Sequence, residues 1–335
     1  MPQPATPSWS ASQLRRDLRA RANDLARAQN LLHDLAPGPE PAIIFGRDEQ
    51  GRHGNFHPAS YENICADPSW LRRLAKPHTA SRRSRARKDW QWMELDSANS
   101  SDALLMNIFC HPKVFDGAIL APAVAKLLNV DPTAQPCFGI KPGVPLKNLR
   151  KGRSKLPSEL TDRTEIDLQL GNLFVEAKLT ESNFQTAAPS LIERYRDLET
   201  IFDVAGLPRK ILYSPATHPL AEDFSQLEEP TASPSPPNPG PSRTLIHGYQ
   251  LIRNVLAAYA VDASFCVLCD GRRRDLIEIW YSILSAVLRP TFAARLKLLT
   301  WQELSITLPK DLQQFLETKY GIIQTSGQGS PIFKP

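Results

Sequence analysis

The sequence predicts an α/β protein, and three observations carry that reading. Residues 164–180 alternate polar and apolar side chains on both sides of a Gly171-Asn172 turn, the pattern of a β-hairpin. From residue 245 onward, helical and strand-like stretches follow one another, as in a layered α/β fold. Hydrophobic residues make up 41% of the 335, enough to build a buried core and to exclude a wholly disordered chain.

The elements follow in order. Residues 10–35 place Leu14, Leu18, Leu25 and Leu32 at roughly helical spacing, with Ser10 or Ser12 as the cap and Pro37 as the stop. This predicts an amphipathic helix packed on its own core, with a dimerising helix, and so a homodimer, as the alternative. Residues 69–89 hold Arg72, Arg73, Lys76, Arg82, Arg83, Arg85, Arg87 and Lys88 against the single acid Asp89. Lys141, Lys147, Arg150, Lys151, Arg153 and Lys155 form a second basic cluster. Both read as loops or solvated faces, and together they suit a phosphate backbone. Trp70, Trp90 and Trp92 flank the first cluster as core anchors, with base stacking as the alternative.

Leu191, Tyr195, Leu198 and Phe202 predict a helix from about 189 to 204, and KILYSP after it a further strand. The stretch 230–241 contains six prolines and cannot be a helix or inner strand, so about 228–243 is an exposed loop. Beyond it, residues 245–260 read as a helix, SFCVLCD as a buried strand, RDLIEIWYSILSAVL as a helix, RLKLLTW as a strand and PKDLQQFLETKYGI as a closing helix.

Several function classes find no support. The five cysteines are odd in number and widely spread, unlike a secreted disulfide framework. The N-terminus has no apolar signal core and no apolar run reaches membrane-spanning length, so a cytoplasmic protein without membrane attachment is expected. GxSxG, GxGxxG and P-loop motifs are absent, and no small-molecule cofactor is implied. Cys266 and Cys269, three apart on a strand, point to opposite faces and read as buried thiols. The seven histidines show no ligand spacing.

The hairpin carries the chemistry. A two-residue turn that pairs Leu170 with Leu173 puts Asp167 opposite Glu176 and Glu165 opposite Lys178, all on one face. Two apposed carboxylates repel unless a cation sits between them. A hard ion such as Mg²⁺ suits these oxygens, with the Ala177 carbonyl as a third protein ligand. Lys178 would position or deprotonate a water, or stabilise charge on a phosphate. A solvated hairpin with a plain Glu165–Lys178 ion pair is the alternative.

Asp167, followed by Glu176-Ala177-Lys178, resembles the acid … acid-x-Lys pattern of the PD-(D/E)xK, or restriction-endonuclease-like, nuclease superfamily. The proline that leads the family pattern is replaced by Ile166. LDSANSSDALLMNIF, GYQLIRN and KLLTWQEL also resemble segments of uncharacterised bacterial members, so the resemblance covers about residues 90–325. It implies an αβββαβ core with a mixed sheet and leaves residues 1–89, a helical and basic extension, unexplained. It also implies Mg²⁺, replaceable by Mn²⁺, at Asp167 and Glu176, with Lys178 assisting the water. A further acid from the first core helix is expected, with Glu94 the candidate and Asp96 and Asp102 its rivals. Gln250 is a candidate accessory residue on a later helix. The implied function is hydrolysis of DNA phosphodiester bonds, as an endonuclease or exonuclease; the alternative is a non-catalytic nucleic-acid-binding or assembly protein.

Overall fold

A computed structural model describes residues 8–77, 93–147, 160–213 and 242–323. Arg82, Arg83, Arg85, Arg87, Arg150 and Lys151 lie outside the described residues, as does the proline-rich stretch 230–241.

In chain order, the first elements are α1 (Ala11–Ala28), β1 (His33–Leu35), β2 (Ile43–Phe45), α2 (Pro58–Ala66), α3 (Pro68–Leu74), α4 (Ser101–Phe109) and α5 (Pro122–Leu128). Then come β3 (Pro136–Ile140), β4 (Gly143–Pro145), β5 (Thr161–Arg163), β6 (Ile166–Leu170), β7 (Leu173–Ala177), β8 (Thr186–Ala187), α6 (Pro189–Ile192) and α7 (Leu198–Ile201). The rest are β9 (Arg209–Tyr213), β10 (Ser242–His247), α8 (Tyr249–Ala260), β11 (Ser264–Cys269), α9 (Arg274–Ser285), α10 (Pro290–Ala293), β12 (Leu296–Thr300), α11 (Trp301–Ser305) and α12 (Lys310–Tyr320).

The central sheet is mixed and runs β12-β11-β7-β6-β3. β3, β6 and β7 pair antiparallel, whereas β7, β11 and β12 pair parallel. Alternation along β7 and β11 divides the side chains between two cores. Leu173, Val175, Ala177, Cys266 and Leu268 join a cluster with Leu14, Leu18, Ile64, Trp70, Leu104, Leu312 and Leu316. Phe174, Phe265, Val267 and Cys269 join another with Ile192, Leu198, Ile252, Val255 and Trp280. The sheet is therefore the middle layer of an α/β/α stack, and Cys266 and Cys269 are free thiols on opposite faces.

Ser10 caps α1 and exchanges bonds with Gln13. Leu14 and Leu18 face the chain's own core, and α1 packs on α12. The helix stops at Ala28, short of Pro37, because the Leu31 amide turns back to the Ala26 carbonyl at 2.9 Å and Asn30 takes φ 49°. Leu32 falls beyond the end and is exposed. The core does not stop at residue 89, since α1, α2 and α3 share a cluster with α4 and the sheet. Nor is the whole 69–89 stretch a solvated loop. Pro68–Leu74 is helical, capped by Asp67, and Trp70 is buried with its indole N–H on the Pro136 carbonyl.

Two expected helices change form. The 189–204 stripe splits into α6 and α7, because residues between them bond elsewhere. The Lys147 amide takes the Arg194 carbonyl at 2.8 Å and the Arg196 amide takes the Pro145 carbonyl at 3.0 Å. Leu245–His247 are strand, since β10 pairs antiparallel with both β8 and β9. Gly248, at φ 78°, turns the chain into α8. Likewise Trp301, at the end of the RLKLLTW stretch, opens helix α11, capped by Thr300. Among the described residues, no helix is long and apolar enough to cross a membrane.

Candidate active site

The hairpin adopts the expected register, with Leu170 opposite Leu173 and Leu168 opposite Val175. Gly171 takes φ 55° in the turn. The ladder ends there, and one residue on the Asp167 side chain replaces the next backbone partner. Its Oδ2 accepts the Ala177 amide at 2.8 Å. The Ala177 carbonyl leaves the strand on the same edge.

Glu176 is fully buried on β7 and surrounded by donors. Its Oε1 accepts from Lys178 Nζ and from Gln250 Nε2, both at 2.6 Å. Its Oε2 accepts from Asn254 Nδ2 at 2.7 Å. Gln250 and Asn254 stand one turn apart on α8, so one helix face presents both amides to one carboxylate. Asn254 in turn accepts the Thr164 hydroxyl at 2.7 Å. Truncating Asn254 leaves a buried carboxylate oxygen and a buried hydroxyl without this partner. Asn254→Ala is therefore expected to lower stability by about 1–3 kcal/mol, read by urea unfolding.

The Lys178 backbone is pinned as well. Its amide donates to Leu268 at 2.8 Å and its carbonyl accepts the Trp301 indole N–H at 2.9 Å. Burial pulls the Lys178 ammonium down, but Glu176, Glu181 and Asp167 outweigh it and hold its pKa above the ordinary lysine value. Burial, then the charges of Glu176 and Asp102, pushes the Asp167 carboxyl well up. Burial also raises Glu176, against the pull of Lys178.

Further acids converge from the chain outside the hairpin. Asp102, in the first turn of α4, is 5% exposed and its charge acts on both Asp167 and Glu176. Glu181 accepts the Leu179 amide and the Ser101 hydroxyl at 2.7 and 2.8 Å. Carboxylates thus outnumber nearby cations. Among the described residues, Asp102, Glu94, Glu165, Asp167, Glu176 and Glu181 stand against Arg73, Lys76, Lys141 and Lys178. A half-buried site with such an excess suits a divalent cation.

Several expectations are corrected. Glu165 does not pair with Lys178: β6 begins at Ile166, and Glu165 turns to Arg73 and Lys76, each at 2.9 Å. Glu94 lies in a short 3-10 turn (Glu94–Asp96) rather than on a core helix. Its carboxylate meets Lys76 at 3.0 Å. Asp96 turns away to His53 at 3.2 Å and to the Met93 amide. Asp102 is the acid on the core helix. Lys147 forms an ion pair with Glu199 at 3.0 Å. Asn254 and Glu181 were passed over in the sequence. The spacing of Gln250 and Asn254, four apart in GYQLIRN, was the signal that could have found the first.

A separate group brings His57, His111 and Asp311 together, although the sequence shows no ligand spacing. Burial lowers the His111 pKa to about 4, followed in effect by His57. The Lys113 amide donates to His111 Nδ1 at 3.2 Å, which leaves any ring proton of the neutral imidazole on Nε2, the atom facing the group. Lys113 Nζ also holds Asp311 at 2.8 Å. These contacts favour a neutral imidazole pair over a metal centre.

No curated protein and no solved structure gives a significant match to the chain. A family model described as "Restriction Endonuclease associating with ARP" matches residues 30–321. The match begins well before residue 90, so most of the stretch left outside the sequence resemblance lies inside it. With most of its length matched, and with an acid-rich hairpin at the centre of the matched region, the chain belongs to this restriction-endonuclease-type family.

Proposed function

We propose that the chain is a Mg²⁺-dependent nuclease of the PD-(D/E)xK type that hydrolyses DNA phosphodiester bonds, with Mn²⁺ able to replace Mg²⁺. The single observation that carries this reading is the Asp167–Glu176–Lys178 constellation on one hairpin, with Glu176 and Lys178 buried and Asp167 half-buried beside them. The order α4, β3, β6, β7, α8, β11 supports an αβββαβ core around it.

The donor set fits a hard cation. Asp167 offers Oδ1, the Ala177 carbonyl lies at the same ladder end, and Glu176 Oε2 keeps one lone pair beyond its Asn254 bond. A bound divalent ion supplies polarisation of the phosphate and makes water more acidic. Lys178 Nζ donates to Glu176 Oε1 at 2.6 Å and sits among three carboxylates that raise its pKa. It is placed to act as a hydrogen-bond donor and a positive charge toward water or phosphate. Gln250 and Asn254 orient Glu176. Arg82, Arg83, Arg85, Arg87, Lys147, Arg150 and Lys151 would meet the DNA backbone, with Lys147 leaving Glu199 to do so.

A second reading, a nucleic-acid-binding protein without catalysis, is favoured by the saturation of Glu176 Oε1 by two donors. Incubation of supercoiled and linear DNA with Mg²⁺ or Mn²⁺ separates the two. Under the nuclease reading, cutting stops with EDTA and Lys178→Ala slows it by about 10²–10⁴-fold. Salt-sensitive DNA binding without any metal-dependent product would replace it with the second.

A further inference from the structure

Lys76 is held where a cation would sit. Its ammonium lies 3.0 Å from Glu94 Oε1, 3.1 Å from Asp102 Oδ2 and 2.9 Å from Glu165 Oε1. These carboxylates come from the 3-10 turn, from α4 and from the residue before β6. Arg73 Nη2 bridges two of them, at 2.7 Å to Asp102 and 2.9 Å to Glu165, and the exposed Lys141 reaches Glu165 Oε2 only at 3.9 Å, so Lys76 alone meets all three. An exposed lysine gains little from one acid and seldom holds three. Here the Lys76 side chain is 25% exposed and that of Asp102 6%.

The arrangement is built into the backbone. The Glu94 amide donates to the Lys76 carbonyl at 2.9 Å, and Pro77 bridges Met93 beside it. Acid and ammonium are thus fixed relative to each other. Arg73 is housed by a missing side chain. A Cβ on Gly139, which takes φ 65°, would lie 2.1 Å from Arg73 Nη1. Asp102 ties this group to the hairpin, since its charge acts on Lys76, Asp167 and Glu176 alike.

We propose that Glu94, Asp102 and Glu165 form a second cation site beside the Asp167–Glu176 pair, with the Lys76 ammonium as its resident cation. The active centre then takes one divalent ion, where two-metal nucleases take two. Lys76 supplies fixed positive charge in place of the second. This inference rests on the reading of Asp167 and Glu176 as metal-binding.

Mn²⁺ titration of the full chain by calorimetry, with electron paramagnetic resonance counting free ion, tests it. Wild type should bind one Mn²⁺. Lys76→Met should bind two, the second at least tenfold more tightly than any second ion on wild type. Lys76→Gln removes the charge while keeping donors toward the carboxylates, and should also bind two; it serves if Lys76→Met does not fold. One ion on wild type and one on the folded variants would overturn the inference and leave the Asp167–Glu176 reading standing. Two ions already on wild type would overturn it as well. No ion on wild type would reject the Asp167–Glu176 reading, and the inference with it.

Discussion

Asp167→Asn is expected to lose DNA cleavage and, at neutral pH, to fold more stably than wild type. The two effects have one cause. Asp167 is half-buried, and desolvation followed by the charges of Glu176 and Asp102 raises its pKa well above the ordinary carboxylate value. A carboxyl with a folded pKa above its unfolded value holds its proton more tightly when folded. It therefore weakens the fold as pH rises past the unfolded value of about 3.9, and the loss is complete above the folded pKa. Asparagine carries no such charge, and its side-chain oxygen still accepts the Ala177 amide. The variant should gain about 0.5–2 kcal/mol at pH 7, with the gain fading toward pH 4 and below. Cleavage should fall by about 10²–10³-fold or more. Mn²⁺ should stabilise wild type by about 2.7 kcal/mol at a hundred times its dissociation constant, and the variant far less. Unfolding curves with and without Mn²⁺, read beside a cleavage assay, give all three quantities. An Asp167→Asn protein that cuts like wild type, or is less stable than it at pH 7, would remove Asp167 from the site.

The hairpin was legible because its information is local. Strict alternation and the Gly171-Asn172 turn set register within seventeen residues, and a one-residue slip would turn Leu168 and Leu170 to the half-exposed face of Asp167 and Gln169. The buried strand β11 and the helices α9 and α12 were legible for the same reason. What failed depended on distant partners. Arg73 and Lys76 look like members of a solvated basic run until Glu165, 92 and 89 positions on, closes over them. The 189–204 helix breaks because backbone groups near Pro145 and Lys147 compete for its carbonyl and amide. His247 and its neighbours join a strand only because β8 and β9 supply the pairing. Gln250 was legible as a polar residue on a later helix, and it stands beside the hairpin with its amide on Glu176.

Lys319 gives the second large expectation, and it concerns stability alone. Its side chain is buried with no carboxylate partner among the described residues: Nζ donates to the Gly54 carbonyl at 3.2 Å and to Asn55 Oδ1. The rings of Phe45, Tyr320 and Phe315 stand 4.8, 5.2 and 5.7 Å away. Burial pushes its pKa well below the usual lysine value. A lysine with a lowered folded pKa is neutral in the fold and charged in the unfolded chain over the window between the two. There the unfolded state binds the extra proton, so stability climbs as pH rises and levels off near the unfolded value of about 10.4. One proton gives a slope of about 1.4 kcal/mol per pH unit. Lys319→Met keeps the apolar stem's volume and removes the proton. The difference in unfolding free energy between wild type and variant, followed by urea titration up to about pH 10.5, should therefore shift in favour of wild type as pH rises, by up to about that slope. A difference that stays flat would mean that the three rings hold a charged ammonium by cation–π attraction strongly enough to cancel its desolvation. Either form donates to the two oxygens, but only an ammonium draws on the rings. Phe45→Leu, which thins the cage and leaves both oxygens, should then leave the slope intact if the amine is neutral and create one if it is charged.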